Sequence, residues 1–188
     1  MNSSSATKLK IAVLGPTKSD IQDYIGFLAQ VHGGEPVDSA EFGGCTVFRT
    51  ALSLSPADGD ELVNVQVFAS SVNSDFRSIF QHFFKGAVGV ICLLPAALER
   101  ADESKRVLGL LQSQLLEPRS KRNIPPFLMQ YLWREADMAT SPEAIDQILG
   151  VNAAVVKRVF SRHNHQDQSL GFSELLPLIN SEQAVPVN

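Results

Sequence analysis

The residues between the first apolar run and the first amphipathic segment have the position of a phosphate-binding loop but not its composition. Leu9 to Leu14 is a short apolar run with β-branched residues, and a Gly-Pro pair ends it. Phosphate binding at a strand–loop–helix junction needs backbone N–H groups, a lysine ammonium and a hydroxyl for Mg²⁺. Lys18 and Ser19 offer a cation and a hydroxyl, but Pro16 lacks an N–H and Asp20 adds a negative charge.

Two other groups of residues have side chains that could do chemistry. His163, His165 and Asp167 are metal-ligand types, but two histidines two positions apart, with no cysteine or third histidine nearby, are typical of a loop. Ser19 or Ser161 as a nucleophile has no identifiable base partner. We therefore predict neither a metal site nor a catalytic serine.

The elements that must position these residues alternate between strand-like and helix-like patterns. Predicted strands cover 9–14, 45–54, 63–68, 87–94, 127–132 and 154–160, and predicted helices cover 20–28, 76–84, 107–115, 142–149 and 170–179. Ser19 is the predicted N-cap of the first helix, and its predicted apolar face consists of Ile21, Tyr24, Ile25 and Leu28. Residues 87–94 are apolar throughout, as expected of a central strand covered on both faces. The pattern predicts a three-layer α/β/α domain with a mostly parallel six-stranded sheet and one antiparallel edge strand. This domain spans 8–180, between a flexible N-terminus (1–7) and a tail (181–188), and 31–44 is a glycine-rich loop.

Two segments are candidates for contact with a protein partner. The second predicted helix has more large apolar residues than one narrow face needs, so core packing and partner binding both remain open for Phe76, Phe80, Phe83 and Phe84. A short basic segment is either a solvated loop or a docking patch for an acidic partner, and it contains Arg119, Lys121 and Arg122.

Composition and charge argue against several classes of protein. The net charge of −4 gives no basic footprint for nucleic acid, and 44% apolar with 19% charged residues fits a globular domain. No apolar run approaches the roughly 18 residues that span a bilayer, and neither a signal peptide nor a lipidation motif is present. Two cysteines make no disulfide framework. We expect a cytoplasmic protein without a membrane anchor.

The order of elements resembles the Ras superfamily of small GTPases over about residues 8–180. Three segments carry the resemblance: KIAVLGP is similar to the first strand and phosphate loop, DFRSIFQHFFKGAVGVICLL to the switch II helix and next strand of Rab- and Arf-like proteins, and TSPEAIDQILGV to a late helix of Arf-like members. The Gly-Pro pair and a polar insert before the second hairpin strand are most similar to the Rab-like GTPases of intraflagellar transport. The resemblance implies a P-loop GTPase fold.

The chain departs from this family at all three nucleotide-contacting motifs. Counting from Gly15, the second glycine, the lysine and the Ser/Thr of G-x-x-x-x-G-K-[ST] fall on Asp20, Ile21 and Gln22. The remaining positions are Ala69 and Val72 for D-x-x-G, and Leu132, Trp133, Arg134 and Glu135 for N-K-x-D. Charge-assisted contacts contribute about 1.5–3 kcal/mol each, so the loss of several weakens nucleotide binding by orders of magnitude.

The resemblance with these departures implies a catalytically inactive pseudo-GTPase. We expect a subunit or adaptor without a cofactor, acting through protein–protein contacts in a ciliary, cytoskeletal or membrane-trafficking complex. The alternative is a divergent GTP-binding switch of the Rab/Arf-like type, which would bind GTP or GDP with Mg²⁺ through Gly15, Lys18, Ser19 and Glu135. A third hypothesis, another enzyme at the same strand ends, has only fold-level analogy behind it.

Overall fold

The computed structural model describes residues 8–54, 63–115, 125–133, 141–151, 157–162 and 166–183. Within these ranges the strands are β1 (Lys8–Gly15), β2 (Asp38–Phe42), β3 (Cys45–Leu54), β4 (Val63–Ser71), β5 (Gly89–Pro95), β6 (Phe127–Trp133) and β7 (Lys157–Arg162). The helices are α1 (Lys18–Val31), α2 (Phe76–Phe84), α3 (Ala101–Leu115), α4 (Pro142–Leu149) and α5 (Leu170–Gln183), and Leu98–Arg100 and Gln166–Ser169 are 3₁₀ turns. The chain is an α/β protein, as predicted.

The strands form one mixed sheet in the order β2-β3-β4-β1-β5-β6-β7. The run β4-β1-β5-β6-β7 is parallel, whereas β3 is antiparallel to both of its neighbours. The predicted parallel sheet and the hairpin of β3 with β4 are confirmed, but the prediction of six strands with one antiparallel strand at the edge is wrong. The structure has a seventh strand, β2, which pairs with β3, so β3 is not at the edge of the sheet.

Strand β2 lies in the segment that we predicted to be a loop. All five of its side chains are exposed, so no apolar alternation marks it as a strand. It is held by backbone pairing with β3 and by side-chain contacts with that strand, in which Arg49 Nη2 lies 3.1 Å from Asp38 Oδ2 and Thr46 Oγ1 donates to Glu41 Oε1 at 2.6 Å. Tertiary pairing therefore decides the conformation of this segment.

The sheet has a packed apolar layer on each face, so the predicted three layers are present. Alternation along the buried strands divides the core: Ile91 and Leu93 of β5 face one layer, and Val90 and Leu94 face the other. Helices α1 and α5 cover the first layer, and α2, α3 and α4 cover the second. Helix α1 buries one stripe at helical spacing, which consists of Ile21, Tyr24, Ile25 and Leu28.

One polar network lies inside the first layer. Tyr24 donates its hydroxyl to Gln130 Oε1 at 3.0 Å, and Gln130 Nε2 donates to Ser161 Oγ at 2.8 Å and to the Gln168 carbonyl at 2.5 Å. Burial raises the pKa of the Tyr24 phenol, which keeps it a donor. Because buried polar groups need partners, this network holds α1, β6, β7 and the second 3₁₀ turn together.

We expect Gly171→Ala to disturb this network and to destabilise the protein. A Cβ at position 171 would lie 2.1 Å from Gln130 Oε1, so the amide that accepts from Tyr24 would have to move. Overpacking of this kind costs about 1–3 kcal/mol, which chemical denaturation measures. Gly109→Ala is the matched control, because a Cβ there has nothing within 4 Å and the change improves a helix interior. Equal stability of the two variants would contradict the prediction.

Candidate functional site

The carboxyl ends of β1 and β5 meet where the chain connections turn to opposite faces of the sheet. These two strands are parallel neighbours. Strand β1 leads into α1 on the first layer, and β5 leads through Leu98–Arg100 into α3 on the second. Such a switch point is the usual ligand site of an open α/β sheet. The structure thus places residues 15–22, which join the end of β1 to the first turn of α1, at the position where binding chemistry is most expected.

An ion pair between Asp20 and Arg100 joins the two connections at this point. Arg100 Nη2 donates to Asp20 Oδ2 at 2.6 Å and Nη1 donates to Oδ1 at 3.2 Å. Thr17 Oγ1 donates to Asp20 Oδ2 at 2.5 Å and accepts from the Asp20 backbone N–H at 3.2 Å. The side chains of Asp20 and Arg100 are only 5% and 18% exposed. Thr17, and not the predicted Ser19, is therefore the N-cap of α1.

A second carboxylate, that of Glu103, also binds Arg100. Arg100 Nη2 and Nε donate to Glu103 Oε2 at 2.7 and 3.1 Å. The hydrogen bonds from Arg100 to Asp20, and then to Glu103, raise the pKa of Arg100 against the effect of burial, so the guanidinium stays charged. Asp20 and Glu103 therefore place two carboxylates where a phosphate loop would bind phosphate.

Two residues of the first turns of α1 stand at the lysine and Ser/Thr positions of the phosphate-loop pattern. Ile21, at the lysine position of the phosphate-loop pattern, is fully buried in the first core layer. Gly15 packs against it, since a Cβ on Gly15 would lie 2.9 Å from Ile21 Cδ1. Gln22, at the Ser/Thr position, is exposed. Neither Ile21 nor Gln22 supplies a cation or a hydroxyl.

Lys18 and Ser19 are exposed at the start of α1. Lys18 Nζ lies 5.9 Å from the ring centroid of Phe48, so it is directed over an aromatic ring of β3. Ser19 Oγ lies 3.1 Å from Thr17 Oγ1. The structure therefore does not bring the Lys18 ammonium to the Asp20–Arg100 pair.

Ala69 and Val72, at the end of β4, also lack the groups that nucleotide binding needs. Both side chains are buried, and neither has an oxygen that could order a magnesium-bound water. The Val72 backbone N–H donates to the Gly15 carbonyl at 2.9 Å, which holds the end of β4 directly against the loop. At these positions the side chains pack in the core.

The residues at the predicted base-reading position are only partly described. Leu132 is buried in the first core layer. Trp133 is half-buried with its ring centroid 5.6 Å from that of Phe160, and its buried Nε1 has no hydrogen-bond partner within the described ranges. Arg134 and Glu135 lie outside the described residues. Aromatic packing therefore occupies the described part of this position.

The phenylalanines of α2 are mainly core residues. Phe76, Phe80 and Phe83 are buried, and the ring centroid of Phe76 lies 5.2 Å from that of Phe83 and 6.1 Å from that of Phe80. These three side chains are thus not exposed for partner contact. Phe84 is half-buried and remains a candidate. The basic candidates Arg119, Lys121 and Arg122 lie outside the described residues.

The other candidate chemistry receives no geometric support. His163 and His165 lie outside the described residues, and in the part of the chain that is described no group of three or more His, Cys, Asp or Glu side chains could hold a metal ion. Ser161 Oγ accepts from Gln130 in the core network. Among the described helices, none is long and apolar enough to cross a membrane.

The sequence reasoning missed Thr17 and Arg100. Thr17 had a visible signal, since a threonine three positions before an acidic residue at a helix start is a common N-cap pattern. Arg100 had a weaker one: it follows a buried strand closely, at the edge where ligands of α/β sheets bind. Nothing local pairs it with Asp20, which is 80 residues earlier.

The comparisons with known proteins do not assign this site. No family model matches the chain, and no curated protein matches it. Its function must therefore be inferred from residues and geometry.

Proposed function

We propose that this chain is a pseudo-GTPase with a Ras-like P-loop GTPase fold, and that it acts as a non-catalytic subunit or adaptor through protein–protein contacts. The observation that carries the proposal is the Asp20–Arg100 ion pair at the carboxyl ends of β1 and β5. In a working phosphate loop this position holds phosphate oxygens between N–H groups and a lysine. Here it holds a carboxylate of the chain itself.

The electrostatics of the site support the loss of nucleotide binding. A phosphate group beside Asp20 and Glu103 would meet like charge, and the guanidinium of Arg100 already binds both carboxylates. Ile21 takes the place of the lysine in the phosphate-loop pattern and is buried in the core, so this position supplies no ammonium. The expected coupling between nucleotide state and loop conformation is therefore absent, and the conformation is determined by the chain or by a partner.

An exposed sheet edge supports action through protein contacts. Strand β2 is the last strand on its side of the sheet within the described residues, and its Phe42 is half exposed. Open edges of this kind can accept a strand from another protein. The resemblance to Rab-like proteins of intraflagellar transport leads us to propose a ciliary, cytoskeletal or membrane-trafficking assembly as the setting.

We expect thermal melting of the purified chain to be unaffected by GTP or GDP with Mg²⁺. A ligand that binds only the folded state raises the melting temperature, and a site with a Kd of about 10 µM would be stabilised by about 2.7 kcal/mol at about 1 mM nucleotide. MgCl₂ at matched ionic strength is the control. A saturable, magnesium-dependent rise would overturn the proposal in favour of a divergent GTP-binding switch, which would use Gly15, Lys18, Ser19 and Glu135.

A further inference from the structure

The Asp20–Arg100 pair differs from the surface ion pairs of this protein. Arg49 and Asp38 are 57% and 66% exposed and form one contact. Lys157 and Glu174 are also substantially exposed. The carboxylate of Asp20, in contrast, is nearly buried and accepts from both terminal nitrogens of one guanidinium and from the Thr17 hydroxyl. A small anion bound in a protein site typically makes such contacts, with a bidentate guanidinium and a further hydrogen-bond donor.

We propose that Asp20 is an internal ligand: its carboxylate occupies an anion-binding site formed by Arg100 and Thr17, and thereby holds the connection after β1 against the connection after β5. The inference rests on the proposed function and deepens it. The negative charge that a bound phosphate would supply at this switch point is supplied by the chain. The contact between α1 and the turn before α3 therefore needs no external ligand.

The same contact excludes external anions. An oxyanion can bind both terminal nitrogens of Arg100 side by side only if the Asp20 carboxylate leaves, because that carboxylate already accepts from both. Glu103 must also be removed in a test, since it accepts from Nε and Nη2 and would keep Arg100 neutralised. Removal of both carboxylates leaves the guanidinium and the Thr17 hydroxyl as donors to a small oxyanion.

The test is chemical rescue of the double variant Asp20→Gly/Glu103→Gln in the full chain. Formate and inorganic phosphate are titrated separately while melting is followed, with NaCl at matched ionic strength as the control. We expect a saturable rise in melting temperature of about 2–4 °C at about five times the Kd, as mass action gives for a chain of this size. The parent chain, whose site is filled, should respond to these salts no more than to NaCl.

Replacing the guanidinium supplies the matched control. Adding Arg100→Met to the double variant should abolish the response to formate and phosphate. The inference would be overturned if formate and phosphate raised the melting temperature of the double variant no more than NaCl does. It would also be overturned if the triple variant or the parent chain showed the same rise as the double variant. If the glycine variant does not fold in the NaCl control, the same titrations are made on Asp20→Ala/Glu103→Gln, which has a better helix former at position 20. The same outcomes support or overturn the inference.

The two proposals fail separately. A magnesium-dependent response of the parent chain to GTP would overturn the proposed function. Absence of anion rescue in the double variant would overturn the internal-ligand inference while the parent still ignores nucleotide.

Discussion

Asp20→Ala is expected to lower the free energy of unfolding by about 3 kcal/mol or more. Removal of one partner from a buried ion pair leaves the other charge without compensation, which costs about 3–5 kcal/mol. The value should lie at the lower end, because Arg100 is 18% exposed and keeps Glu103 as a partner. Urea denaturation measures the change, and linear extrapolation gives the free energy in water.

A double-mutant cycle separates the ion pair from packing. Arg100→Met removes the other charge and keeps much of the side-chain volume, so the double variant Asp20→Ala/Arg100→Met should lose less stability than the two single changes summed. Asp38→Ala is the surface control, since its pair with Arg49 is exposed and should contribute at most about 1 kcal/mol. Additive losses at Asp20 and Arg100 would show that the pair is not coupled.

The second large effect is expected for Phe76→Ala in α2. Phe76 is fully buried, and its ring packs edge-on against those of Phe80, Phe83 and Phe84. Truncating a buried phenylalanine removes apolar burial and leaves a cavity, which together cost about 3–5 kcal/mol. The change should appear as a lower denaturation midpoint with an unchanged slope.

Phe84→Ala is the matched control for Phe76→Ala. The two phenylalanines lie on the same helix, but Phe84 is half-buried and has less apolar surface to lose. Its truncation should cost clearly less stability. If the two changes cost the same, the division of α2 into core and surface residues is wrong. If α2 binds a protein partner, Phe84→Ala should reduce that binding, although it destabilises the fold less than Phe76→Ala does.

Helix α4 was predicted closely because its signals are local. The Ser141 hydroxyl accepts from the Ala144 N–H at 3.2 Å, Pro142 is the first helical residue, and Gly150 ends the helix with φ of 66°. Each of these features depends on the backbone of the residue itself or of its near neighbours. Periodicity likewise predicted the buried stripe of α1 and the fully buried strand β5.

The candidate site was predicted only as a set of missing groups. The sequence indicated that Asp20, Ile21 and Gln22 replace residues that a phosphate loop needs. It did not indicate that Thr17 caps the helix or that a guanidinium meets Asp20. The last of these depends on two connections that meet only when β1 and β5 pair.

The sequence by itself determined the α/β class, the buried faces of the main helices and strands, and the absence of the phosphate-loop residues, because these follow from residue type and spacing along the chain. Tertiary structure alone decided that β2 is a strand and that Asp20 binds Arg100. In both cases the stabilising partner is remote from the local pattern: the backbone of β3 pairs with an exposed polar segment, and a side chain 80 positions later neutralises a buried carboxylate. Burial of a charge is favourable only with such a partner, and the fold supplies it.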